Sequence, residues 1–404
     1  MLDILVAGGG YTGLSVAVSI KKAAPHLNIM VVDGAPDGAW QKDGRASAIA
    51  AAASRLLDAL GVWSEILPKA QPINSMVITD SRTADPVRPV FLTFDGNVAD
   101  GEPFAHMVPN PAMVGPLIEM AKSLGVELRY STTVDGFRSG PGSVNAHLSS
   151  GETLAARLLV ACDGVKSKLR EIAGIKTVNF DYGQSGIVTT VEHERPHGGV
   201  AEEHFLPAGP FAILPLPDNR SSLVWTERTH DADRLVASDD LVFEEELERR
   251  FGHKLGTLKV VSGRRAFPLG LTLARAFVAE RFALAGDAAH GIHPISGQGL
   301  NLGFKDVAAL AETIVDADRL GLDIGSLAVL ERYQSWRRFD TFRMGVTTDV
   351  LNRLFSNDIT PIRVARDFGL GLVERMPTLK SFFIRQAAGV SSEGNPKLLQ
   401  GVLP

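Results

Sequence analysis

The feature that most constrains this chain is a pair of glycine-rich turns 278 positions apart, at Gly8 and Gly286, each entered from an apolar run and followed by a helical pattern. Two such segments asking for one ligand require the chain to leave its first domain and return to it. The earlier segment, ILVAGGGYTGLSVA, sets Gly8, Gly10 and Gly13 in GxGxxG spacing. Strand, tight turn and helix in that order let the backbone approach a pyrophosphate, whose charge then rests on the helix N-terminus. Asp33 ends the next apolar run, NIMVVD, 20 residues after Gly13. A carboxylate there binds ribose hydroxyls and repels a 2′-phosphate. The spacing predicts a dinucleotide site; a purely structural glycine turn is the competing reading, and the strand before and the acid after weigh against it.

The later segment decides between dinucleotides. RFALAGDAAH reads as a buried strand ending in Gly286-Asp287, which brings a carboxylate to a sugar or ribityl hydroxyl at the strand's C-terminal end. PISGQGLNLGFKDVAALAETI then reads as a turn through Gly297, Gly299, Leu300 and Asn301 that opens a helix. Free backbone N–H groups and the helix dipole favour negative charge there, and reduced flavin is anionic at its pyrimidine edge. FAD is the expected cofactor. In isolation, Asp287 also reads as an N-cap beside a simple turn.

Four motifs together, GxGxxG with Asp33, DGRASAIA at 43–50, ACDGVKSKLR at 161–170 and GDAAHGIHPISGQGLNLGFKDV at 286–307, resemble the single-component flavin aromatic hydroxylases. Within these the chain is most similar to the ubiquinone-biosynthesis branch, the polyprenylphenol hydroxylases, and LPLPDNRSSLVWTE at 214–227 and the stretch 348–389 share the likeness. The resemblance implies a mixed α/β (α+β) fold like that of p-hydroxybenzoate hydroxylase. It has a discontinuous Rossmann-like FAD-binding domain, a second antiparallel-sheet substrate domain and a helical C-terminus. It implies that Arg45 reaches back to the flavin and phosphates, that Asp163 and Gly164 serve FAD and nicotinamide together, and that Pro294 packs near the reactive flavin edge. Ser167 and Arg170 continue the DGxxSxxR pattern. His290 and His293 lie beside that edge, as proton relays or as hydrogen-bonded structural groups.

The activity so implied uses NADH or NADPH and O2, through a flavin C4a-hydroperoxide, to hydroxylate the ring of a polyprenylated phenol in ubiquinone biosynthesis. No second GxGxxG is present, so the nicotinamide visits the flavin from outside. Competing readings are a hydroxylase of a soluble aromatic acid, an oxidase or reductase of an isoprenoid, and a low-turnover flavin-binding member of a lipid-biosynthetic assembly. Ring position, tail length and the choice of NADH or NADPH are not encoded legibly.

The motifs divide the chain into an FAD-binding domain at 1–71, 105–177 and 271–320, a substrate domain at 72–104 and 178–270, and a helical region at 321–404. Phe205, Phe211, Leu214 and Leu216 either line an apolar pocket in the second domain or form its core. One cysteine, Cys162, excludes an internal disulfide and multi-cysteine metal patterns. His193, His197 and His204 are too loosely spaced for a metal site, so no metal is expected.

Residues 331–404 hold 11 Lys or Arg against 7 acids, a net +4, which leaves −9 for the remainder of a chain at −5. In that basic tail Leu372, Met376, Leu379 and Phe383 form an apolar stripe with Arg375, Lys380 and Arg385 off it. Such a helix lies on an anionic bilayer or packs its stripe on the core or on a second subunit. Negative overall charge without a basic, aromatic-interleaved cluster argues against nucleic acid. With no signal peptide and no run of 18 apolar residues, the expected location is cytoplasmic, extending to the periphery of the inner membrane. A place in a ubiquinone-biosynthesis complex and a homo-oligomer are the partner expectations.

Overall fold

A computed structural model describes residues 1–80, 90–95, 97–99, 101–292, 298–355, 388–390 and 395–404. Apolar runs without alternation become the buried strands of a parallel sheet, as burial on both faces requires. Leu2–Ala7 pairs in parallel with Ile29–Val32 on one side and Thr153–Ala161 on the other, and Glu127–Arg129 extends the sheet beyond Ile29–Val32. Thr153–Ala161 is forked: its first half pairs antiparallel with Val144–Leu148, and its last three residues run parallel to Phe282–Leu284. The chain therefore returns after 120 residues to lay the second glycine turn beside the first. Helices Tyr11–Ala23, Asn110–Ser123 and Gln298–Arg319 pack on this sheet in one continuous core.

The second sheet has nine strands, ordered His290–Gly291, Arg265–Ala274, Thr177–His193, Arg220–Arg228, Gly209–Leu216, Val200–Leu206, Ser75–Asp80 and Val90–Asp95, with Leu258–Val260 paired to Thr177–His193. It is antiparallel except where Val200–Leu206 runs parallel to Ser75–Asp80, a pairing that the long intervening excursion through the first domain permits. Its strands alternate, and the alternation divides the expected apolar set. Phe211 packs with Trp225 and Phe243 beneath helices Thr229–Ala237 and Asp240–Phe251. Leu214 and Leu216 belong to the opposite face, with Ile73, Ala105 and Met107. Phe211 is thus core, not pocket lining, because it lies on the helix-covered side.

A three-stranded ladder, Ala46–Ala50, Ala105–Pro109 and Gln71–Ile73, is a third sheet of the fold. The 29-residue helix Leu327–Phe355 reaches both large sheets. Among the described residues no helix is long and apolar enough to cross a membrane. The amphipathic stripe at Leu372–Phe383, with Arg375, Lys380 and Arg385, lies outside the described residues.

Candidate flavin site

The first turn is fixed by steric necessity. A Cβ on Gly13 would collide with the Gly8 carbonyl oxygen, and one on Gly8, at φ +112°, would lie 2.7 Å from the Cys162 carbonyl carbon and 3.2 Å from the Asp163 nitrogen. Gly10 differs: it is the N-cap of the Tyr11–Ala23 helix, without a capping side chain, and a Cβ there would meet nothing within 4 Å. Open space at the middle glycine, beneath first-turn N–H groups that have no intrahelical partner, leaves room for an anionic group. Asp33 stands behind it. One carboxylate oxygen accepts the Gly9 N–H and the other accepts Ala35 N–H at 2.7 Å, so the acid shapes the turn at the same place where a ribose would sit.

The second turn is assembled from distant parts. Gly286, at φ +64°, faces Thr12 so closely that a Cβ would come within 3.0 Å of it, and Gly303 presses on the same threonine from the Gln298–Arg319 helix. Arg170 donates from Nη1 to the Ala288 carbonyl at 2.8 Å and from Nη2 to the Val165 carbonyl at 3.0 Å, joining the 163–170 loop to the 286–290 turn. Ser167 caps the Lys168–Ile172 helix, accepting Arg170 N–H at 3.0 Å. Asp163 is exposed, with a single long contact from Leu169 N–H at 3.4 Å, and Gly164 has φ +85°. Asn301 accepts Ala50 N–H and donates to the Ala48 carbonyl, both at 2.9 Å; its amide clamps the helix start to the 46–50 strand. Gly299 and Leu300 lie in the same first turn.

Asp287 is exposed as a residue, yet protein surrounds its carboxyl on most sides. Burial pushes its pKa up; His290 and Arg45 oppose the shift and Asp306 adds to it. Burial, then Asp287, also raises the Tyr11 phenol, so Tyr11, Asp287 and Arg45 form one electrostatic group. Arg45 is paired through Nε and Nη2 with Asp43, both at 2.8 Å, and lies over the Phe267 ring at 5.8 Å. Asn110 supports that pair by donating to Asp43 at 2.9 Å. In this arrangement Arg45 holds an acid on its own loop while remaining within electrostatic reach of Asp287.

His290 is fully buried, its Nε2 2.6 Å from Asp306, with no partner at Nδ1. Asp306 in turn accepts Gly286 N–H at 2.9 Å and Arg337 Nε–H at 2.8 Å. Sequence reasoning missed Thr12, Tyr11, Asp306 and Arg337. The available signal for Asp306 was a charged residue inside the Ala- and Leu-rich run GFKDVAALA. His293, Pro294 and Gly297 lie outside the described residues. Cys162 is held as a thiol, its pKa pushed up by burial. His193 and His204 are occupied with Ser221 and Thr79 respectively, and among the described residues no group of three or more His, Cys, Asp or Glu is placed to hold a metal ion.

The residues present fit FAD. An uncapped helix start after Gly10, an acid following the Ile29–Val32 strand and a second acid following the returning strand stand at the C-terminal ends of the parallel strands, where such folds bind ligands. Residues 1–338 match the family described as FAD binding domain. The chain is similar to ubiquinone hydroxylase UbiL of Rhodospirillum rubrum, 45% identical over 99% of this chain and 93% of that protein. It is similar to 3-demethoxyubiquinol 3-hydroxylase of Escherichia coli K12, 32% identical over 96% and 98%. Its fold matches that of p-nitrophenol 4-monooxygenase PnpA from Pseudomonas putida DLL-E4, at 19% identity and a TM-score of 0.79 over 97% and 99% of the two chains. With the two turns meeting on one sheet and likeness along almost the whole chain, the chain belongs to the FAD-binding-domain family and, within it, to the ubiquinone-biosynthesis branch of the FAD-dependent aromatic-ring monooxygenases.

Proposed function

We propose that the protein hydroxylates the aromatic ring of a polyprenylated phenol in ubiquinone biosynthesis, using O2 and NADH or NADPH. The observation that carries this reading is the 45% identity, over 99% of the chain, to a protein named as a ubiquinone hydroxylase. Bound FAD supplies electron transfer from the nicotinamide and activation of oxygen. The chain's own work is to hold, orient and dry the site. First-turn N–H groups after Gly10 hold the diphosphate, Asp33 the ribose and Asp287 a hydroxyl of the ribityl chain. The Gly299–Asn301 helix start would offer its positive end to the ring of the bound group. Phe267 and Leu269 lie on the face of the second sheet shared with Gly186, where a Cβ would touch Leu269, and this apolar face receives the phenol. Excluding water there protects a reactive oxygen species from wasteful decay.

A polyprenylated substrate dissolves poorly in water, so the enzyme meets it at a membrane surface or receives it from a partner in a biosynthetic assembly. Incubation with NADH or NADPH, 18O2 and a series of prenylated phenols tests the reading. Mass spectrometry should find one 18O on the ring of a prenylated phenol and none on a soluble aromatic acid. Ring hydroxylation of the soluble acid alone overturns it.

A further inference from the structure

One helix touches both the flavin turn and the second sheet. Near its start, Tyr333 donates to the Leu284 carbonyl at 2.7 Å, Gln334 accepts Phe277 N–H at 2.8 Å, and Arg337 donates to Asp306 at 2.8 Å. These three residues of Leu327–Phe355 lie at i, i+1 and i+4, and they dock the helix at three points around the Gly286 turn: on the strand that delivers Gly286, on Phe277 before it and on Asp306 of the Gln298–Arg319 helix. Roughly 22 Å along the same helix, at 1.5 Å per residue, Asn352 donates to the Gln184 side chain at 3.0 Å and Asp349 accepts from Tyr182 at 2.9 Å, both on the Thr177–His193 strand.

We propose that this helix is a strut that sets the flavin turn against the second sheet, and that Arg337, acting through Asp306, is a positioning residue for Asp287. The inference rests on the proposed place of Asp287 in the flavin site. Asp306 is fully buried, and one of its oxygens serves two groups at once, the Gly286 N–H and the His290 ring, while its other oxygen faces Arg337. A buried carboxylate keeps its charge only beside a cation. Without the guanidinium, Asp306 keeps only the His290 ring as a counter-charge, its protonation is favoured at the expense of acceptor capacity, and the anchor that fixes Gly286 and its neighbour Asp287 is weakened. The ion pair is doubled by a crossing of opposite sense, Lys305 to Asp340 at 3.3 Å, with Arg337 also on Asp340 at 2.9 Å.

The test compares the full chain carrying Arg337→Met, Arg337→Lys, Asp287→Asn or the Arg337→Met/Asp287→Asn pair, with Arg332→Met as control. Arg332 sits on the same helix but pairs with Asp316 at 3.0 Å. FAD affinity is read by quenching of flavin fluorescence, the visible flavin band by absorbance, and folding by thermal melting without FAD. Arg337→Met should weaken FAD by roughly tenfold or more and shift the flavin band, as loss of a group that orients a ligand-holding residue does. Arg337→Lys should recover part of the affinity, Arg332→Met should stay within about twofold, and the pair should fall short of the product of its single effects. Parental affinity and spectrum in Arg337→Met, or an equal loss in Arg332→Met that tracks melting, overturns the proposal. If Arg337→Met fails to fold, Arg337→Lys decides: a changed flavin band at parental melting temperature supports positioning, and an unchanged one overturns it. Unchanged affinity in Asp287→Asn overturns the proposal together with the placement of Asp287, a result distinct from a failure at Arg337 alone.

Discussion

The two glycine turns do similar work by different construction. The Gly8–Gly13 turn is the more local of the two: a Cβ on Gly13 would strike Gly8, and Asp33, 20 residues on, fixes Gly9, with Cys162 against Gly8 as a distant neighbour. The Gly286–His290 turn and the helix start at Asn301 lean on Thr12, Ala48, Ala50, Arg170 and, through Asp306, Arg337, from four other parts of the chain. A local turn survives or fails with its own residues. A composite one fails when a remote support is removed, and this difference can be broken experimentally.

The largest expected effect is Asp306→Ala, which leaves Arg337 as a buried cation without its main partner and should cost about 3–5 kcal/mol of stability. Chemical denaturation measures it, and a loss below ~1 kcal/mol means that the composite turn has another anchor. Next, Gly13→Ala forces a Cβ into the Gly8 carbonyl, with an expected cost of roughly 1–3 kcal/mol together with lost FAD binding. A variant that melts and binds like the parent would mean the first turn is not as tightly closed as its geometry requires.

Acid should weaken the support of the composite turn. Burial alone would raise Asp306 and Asp340, but the surrounding cations outweigh it and hold both below the usual carboxylate range, Asp340 at about 2. Depressed folded-state pKa values give stability that is complete above the unfolded value near ~4 and is lost as pH falls toward about 2. Unfolding free energies across that window should drop by on the order of 2 kcal/mol, and Arg337→Met should flatten the profile. Asp287→Ala should lower FAD affinity by roughly 1–3 kcal/mol, the range for one charged hydrogen-bond partner; calorimetric titration with an unchanged affinity removes Asp287 from the site. The smallest effect on stability belongs to Gly10→Ala. Its Cβ meets open space, so melting should change by less than about 0.5 kcal/mol while FAD binding weakens. Unaltered binding would put the diphosphate elsewhere.

The same contrast explains how the charge pattern divides. The excess of cations after residue 331 reads in the sequence as a surface for anionic lipid. In the folded chain three of those cations face acids of the Gln298–Arg319 helix: Arg332 with Asp316, Arg337 with Asp306 and Lys397 with Glu312. Part of the basic tail therefore neutralises the acidic body, an intramolecular use that composition alone does not reveal.

Glycine spacing, an acid at the end of the next strand and uninterrupted apolar runs are local properties, and they specify the dinucleotide turn and its parallel sheet because sterics and backbone polarity act within a few residues. Periodicity likewise announces the second sheet through its alternating strands. Which face of that sheet is core is not local: Phe211 and Leu214 are three residues apart and lie on opposite sides, and only the helices at 229–251 and the small sheet decide between them. Asn301 and Arg45 illustrate the limit at the site itself. Both types suit a cofactor, and only the fold shows the supports beside that role: the Asn301 amide holds the 46–50 strand and Arg45 pairs with Asp43. Asp306 and Arg337, 31 residues apart, become the support of the Gly286 turn because a carboxylate deprived of water must find its donors in whatever the tertiary structure brings within reach.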